Sequence, residues 1–201
     1  MKKILTTLVI ATGLLLSGCS NVDTALSLGD TKITTAELQA NVDEILVERT
    51  KVDTSQMQLE TGETLLRSQL QFQLLLTGFA EIAKDLSIKV SNSEIAARRA
   101  ELLQSRGGEA GLAQGLVAAT IAPSTLDAYI RGVITTEKLG QALVQTGTAE
   151  NDVQSRIQQL FVAKVSELKL TINPRYGQWD ETTAQIIPAE VAGDAVSPSN
   201  G

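Results

Sequence analysis

Between Glu63 and Leu86 the apolar residues Leu65, Leu66, Leu70, Phe72, Leu74, Leu75, Leu76, Phe79, Ile82 and Leu86 leave almost no face of a helix polar. A helix apolar nearly all round must be covered on several sides, so whatever else folds here has to be arranged around it. Arg67, Gln69, Gln71, Gln73, Glu81 and Lys84 interrupt the run, which rules out a membrane span and leaves a central core helix. The material for its cover is aliphatic. The chain is 43% hydrophobic but only 3% aromatic, a mixture of Leu, Ile, Val and Ala that suits helix packing and argues against an all-β fold.

The flanking segments carry helix signals of their own. Thr34-Thr35-Ala36-Glu37 is a capping box, in which the Thr34 oxygen accepts from an amide three residues on and Glu37 reaches back to the Thr34 amide. Leu38, Val42, Ile45 and Leu46 then recur on one stripe, predicting an amphipathic helix that ends near Arg49. Residues 51–62 are polar and irregular, a loop. Ser91-Asn92-Ser93-Glu94 is a second capping box, opening a helix through Ile95, Leu102 and Leu103 that stops at Gly107-Gly108. Glu109 to Val117 is predicted to be a short helix using Leu112 and Leu116. Pro123-Ser124 punctuates next, with Ser124 as N-cap and Asp127 three residues later, before a helix carrying Leu126, Tyr129, Ile130, Val133 and Ile134 that runs to about Val144. Val153, Ile157, Leu160, Phe161 and Val165 mark a last helix.

Two alternating segments bracket this helical block. Ala25 to Ile33 carries a Gly29-Asp30 turn signal and reads as a short strand or tight hairpin, and Leu168 to Ile172 reads as a strand. Because a lone strand leaves its backbone groups unpaired, the expected arrangement pairs Leu26–Leu28 with Leu170–Ile172. The predicted fold class is therefore mainly α: a bundle of about six helices with a small two-strand sheet joining the two ends of residues 25–180. Beyond Trp179 the composition turns to Thr, Ala, Pro, Ser and Gly without periodicity, and residues 181–201 are predicted to be a disordered tail.

Ahead of the predicted domain, Met1-Lys2-Lys3 supplies a positive start and Ile4 to Leu16 an apolar run too short to span a bilayer permanently. Leu16-Ser17-Gly18-Cys19 looks like a bacterial lipobox. Residues 1–18 are expected to be a cleaved leader. Cys19, the sole cysteine, is the expected lipid attachment residue, with residues 19–24 as a tether; two or three acyl chains hold a protein stably where one is marginal. The expected location is the extracytoplasmic face of the cell membrane, anchored by lipid.

Charge and residue types narrow the chemistry. The net charge of −6 becomes more negative once Lys2 and Lys3 leave, and no basic patch is present, so nucleic acid is not an expected partner. The chain has no histidine, which removes Ser-His-Asp and Cys-His sites and most zinc sites. The carboxylate pairs Asp43-Glu44, Glu150/Asp152 and Asp180-Glu181 fall at helix starts or on polar faces, where solvation or the helix dipole accounts for them. Gly107-Gly108-Glu109-Ala110-Gly111 lacks the Lys-Ser/Thr of a phosphate loop. No catalytic, metal or cofactor site is predicted.

The opening strand with its Gly-Asp turn, the helical series, the segment Ser124-Leu126-Asp127-Tyr129-Ile130-Arg131 and above all Asn173-Pro174-Arg175-Tyr176-Gly177-Gln178-Trp179 resemble the N-terminal chaperone module of the SurA family, shared with PrsA-type lipoprotein foldases. The likeness covers Ala25 to Asp180 and is greatest to the short lipoprotein version found in actinobacteria. That family's parvulin isomerase domain would sit between the last two helices and needs roughly 100 residues, where this chain has Gln145 to Glu150. The resemblance therefore implies no prolyl isomerase and no other enzyme activity. It implies an ATP-independent holdase that binds unfolded, newly exported polypeptides through an apolar concavity.

Phe72, Phe79, Tyr129, Tyr176 and Trp179 are the candidate client-binding residues. Phe72, Phe79, Tyr129 and also Phe161 fall on helix stripes, which favours core positions, and Tyr176 and Trp179 are expected to cover the end of the sheet. Two other readings stay open: an envelope adaptor with one dedicated partner, and a residual isomerase.

Overall fold

The computed structural model describes residues 23–189. The predicted leader, Cys19 and the last part of the predicted tail lie outside the described residues. In chain order the elements are β1 (Thr24–Leu28), β2 (Thr31–Thr34), α1 (Thr35–Arg49), α2 (Gly62–Asp85), α3 (Asn92–Ser105), α4 (Glu109–Ala118), α5 (Leu126–Gln145), α6 (Val153–Glu167), β3 (Thr171–Ile172), β4 (Gln178–Asp180) and β5 (Gln185–Ile187). The fold is mainly α, as the sequence predicts, with six helices among the described residues, of which α1, α5 and α6 pack directly on α2.

Both capping boxes form. Thr34 Oγ1 accepts from Glu37 N at 3.1 Å while Glu37 Oε2 accepts from Thr34 N at 2.8 Å, and Ser91 and Glu94 repeat the exchange. Ser124 does not cap α5: a 3₁₀ turn over Pro123–Thr125 leads into that helix, and the Ser124 amide and hydroxyl both donate to the Glu44 carboxylate of α1. A long-range carboxylate has displaced the local cap. Leu46, expected on the buried stripe of α1, is 44% exposed, since the stripe turns away from the core by that residue.

The two ends of the fold meet. β1 pairs antiparallel with β3 through Leu26↔Ile172 and Ser27↔Thr171, and Asn173 extends the clasp by donating from its amide to Ala25 O and from its side chain to Thr24 O. The expected two-strand sheet has a third member, because the Gly29-Asp30 turn closes a true hairpin and β2 joins on the outer side of β1. The expected strand at Leu168–Ile172 is shortened to two residues, since Lys169 adopts a left-handed conformation (φ 54) that ends α6.

The boundary at residue 180 is corrected. Residues 185–187 are a strand, β5, which forms a hairpin with β4, and Ile186 is 6% exposed within the core. The turn has a local cause: the Asp180 carboxylate accepts from Thr182 N and from Thr183 Oγ1, both at 2.8 Å, and these bonds hold its pKa below the usual carboxylate value. The hairpin is then fastened to α2, where Gln71 accepts from Ile186 N at 2.7 Å and donates to Ala184 O, and Arg67 donates to Tyr176 O.

Two apolar clusters result. One gathers Leu26, Leu28, Leu70, Leu74, Phe161 and Ile186 with their neighbours between the sheet, α2, α6 and the C-terminal hairpin. The other gathers Ile95, Leu112, Leu116, Leu126, Ile130 and Ile134 between α3, α4 and α5. α2 and α5 contribute to both, so the long helix is covered from several directions, as its sequence requires.

Candidate functional site

α5 and α6 form an antiparallel hairpin, and their approach is set by small and branched residues. A Cβ built on Gly140 would lie 3.3 Å from Val153 Cγ1 and 3.9 Å from Ile157 Cδ1, so the helices touch with nothing to spare there. Toward the loop they leave an open groove of about 630 Å³, floored by Val144, Val153 and Ile157 and edged by Gln141, Glu137 and Glu150. Val144 is 41% exposed in it. A second, more enclosed depression of about 280 Å³ lies between α2 and α5, with Leu76, Ile88 and Val90 in its wall.

The candidate aromatics lie elsewhere and do not converge. Phe79 stacks at 5.2 Å on Phe161, which meets Trp179 edge-on at 6.3 Å, and all three belong to the first cluster. Tyr176 is 6% exposed in the same cluster, with the Arg175 guanidinium 5.2 Å from its ring centre. Phe72 and Tyr129 face each other at 6.2 Å against the second cluster. None of the five lines the groove or the α2–α5 depression. Sequence reasoning passed over Val144 and Gly140 because each looks ordinary on its own helix. The visible signal was the valine in the last turn of α5 with only a seven-residue connection, residues 146–152, to follow before α6.

The charged groups serve structure. Arg98 makes a bidentate pair with Glu137 at 2.9 and 2.8 Å, Arg99 meets Asp127 at 2.9 Å, and Lys138 meets Glu94 at 2.6 Å, so three ion pairs join α3 to α5. Glu94 is held at about 2, chiefly by its bond from Lys138 and then by the Ser91 cap. Lys164 on α6 bridges Asp85 of α2 and Glu167, and their carboxylates raise its pKa. Asp43 accepts from Gln39, and Glu44 from Ser124. Among the described residues no group of three or more His, Cys, Asp or Glu is placed to hold a metal ion, and no helix is long and apolar enough to cross a membrane.

No family model, curated protein or solved structure matches this chain. The functional reading therefore rests on the surface itself. An open groove with an aliphatic floor and amide and carboxylate edges can hold an apolar side chain of a partner and offer hydrogen bonds to its backbone.

Proposed function

We propose that the chain is a lipid-anchored, extracytoplasmic, ATP-independent holdase for unfolded exported polypeptides, of the SurA/PrsA type and without isomerase activity. The observation that carries the reading is the solvent-open apolar groove between α5 and α6, with Val144, Val153 and Ile157 on its floor. An aliphatic, shallow, sequence-tolerant surface suits weak contact with many clients. The Asn173–Trp179 segment, on which the family resemblance chiefly rests, supports the reading from the sequence side, and the lipobox-like Leu16–Cys19 supports the tether.

The test is suppression of aggregation of an unrelated unfolded protein by residues 20–201. Stoichiometric suppression is expected, weakened severalfold by Val144→Glu; no effect at several-fold excess would sink the proposal. Cys19→Ser should release the full chain from membranes, and a prolyl-limited refolding reaction should keep its slow phase.

The adaptor reading draws on a different observation, the exposed neighbours Leu46 and Val47 on α1, at 44% and 53%. A single partner captured only when both are intact, with no general suppression of aggregation, would favour it.

A further inference from the structure

The α2–α5 depression differs from the groove in its electrostatics. Its α5 residues are Ala128, Arg131, Gly132 and Thr135, whereas the groove uses Thr136, Glu137, Gly140, Gln141 and Val144, so at 100° per residue the two open on different faces of that helix. The hollow exists because small residues, Ala80, Ala83, Ala128 and Gly132, stand where larger ones would fill it. Among the described residues no carboxylate lines it, but two cations do, Lys84 and Arg131. Lys84 has a side chain 75% exposed, makes a long 3.5 Å contact with Glu81, and on its other side lines a depression that also holds Asp30, Asp85 and Glu167. Arg131 is exposed, spends Nη1 on Val90 O at 2.9 Å and has no carboxylate partner among the described residues. Thr135 is 3% exposed and lines the same hollow.

An apolar hollow lined by two cations, of which Arg131 has no carboxylate partner among the described residues, is complementary to an apolar group that carries a negative charge beside it. At about 280 Å³ it is smaller than the roughly 300–1,000 Å³ of small-molecule sites, with room for one or two side chains and not for a long acyl chain. We propose that this pocket takes an apolar side chain adjacent to an aspartate or glutamate in an extended client, so that acidic-apolar segments are bound in preference to neutral or basic ones. The inference rests on the polypeptide-binding reading and adds to it a specificity that the groove does not supply.

The experiment is fluorescence anisotropy with three labelled peptides of equal length, in which leucine alternates with aspartate, asparagine or lysine, titrated with residues 20–201. The aspartate peptide should bind about fivefold more tightly than the asparagine one, and the difference should vanish near 1 M salt, where the screening length falls to about 3 Å. Lys84→Gln with Arg131→Gln should bring the ratio to about one. Because Arg131 also holds Val90, Lys84→Gln alone, at an exposed position, is the companion variant and should at least halve the preference. Ala128→Leu, which fills the mouth from an exposed position, should weaken the aspartate peptide about tenfold, whereas Val144→Glu should weaken all three. Equal binding of the three peptides, with Val144→Glu still effective, would overturn the pocket's specificity and leave the holdase reading standing. Binding of none of them would overturn both, and binding of a short fatty acid in their place would turn the site over to lipid.

Discussion

Gly78 lies midway along α2 at the point where Phe161 of α6 crosses it. A Cβ there would stand 2.4 Å from Phe161 Cε2, and the ring cannot retreat, because it is 2% exposed and held between Phe79 and Trp179. Alanine is the better helix former by about 1 kcal/mol, yet the clash wins: Gly78→Ala should lower stability by about 2–3 kcal/mol in urea unfolding, and Phe161→Leu in the same chain should recover part of it. Thr120 presents the opposite case. It ends α4 in a left-handed conformation (φ 57), unfavourable for a β-branched residue, and Ile121 closes the turn by donating to Leu116 O. Thr120→Gly removes that cost and keeps the carbonyl that accepts from Gln69, so it should raise stability by about 1 kcal/mol, read as a higher urea midpoint at unchanged slope.

Among the elements, α3 is the least buried long helix, with Ile95 its one fully covered residue, and it is fastened to α5 mainly by charge. Exposed pairs of this kind contribute up to about 1 kcal/mol each and are screened by salt. Glu94 takes part in both the cap and a cross-helix pair, and its folded-state pKa of about 2 lies below the ordinary 4.5. The sign follows directly: the folded state gains from ionised Glu94 fully above about pH 4.5, and that gain is lost as the pH falls toward 2. Amide exchange in α3 should therefore accelerate between pH 4.5 and pH 2 relative to α2, after correction for the intrinsic rate, and Glu94→Gln should flatten that dependence. An α3 that tracks α2 across the range would show that apolar contacts, not charge, hold it.

For the whole molecule, the decisive arrangement is closure. β1 and β3 come from opposite ends of the described chain, and the β4–β5 hairpin seals the first cluster over α2 and α6. Ile186→Ala should accordingly cost about 2–4 kcal/mol by urea unfolding, the loss expected of a buried aliphatic side chain. A change near zero would mean that the hairpin merely rests on the fold.

The sequence alone was sufficient for whatever is decided within a few residues. The two capping boxes, the encircled α2, the Gly107 helix end and the strand at each end of the helical block follow from neighbours along the chain. Tertiary structure decided the rest, because the partners lie far apart in sequence. Ser87, Thr120 and Lys169 end α2, α4 and α6 without glycine, as the packing of Ile88, Ile121 and Leu170 makes the left-handed turn worth its cost. Arg67 and Gln71 look like breaks in an apolar helix until the backbone of residues 176–186 arrives to bond them. The same distance sent the five candidate aromatics into two packed clusters and left the open surface to Val144, Gly140 and the small residues of α2 and α5, since a groove is formed by what two helices fail to fill between them, and no single helix carries that information.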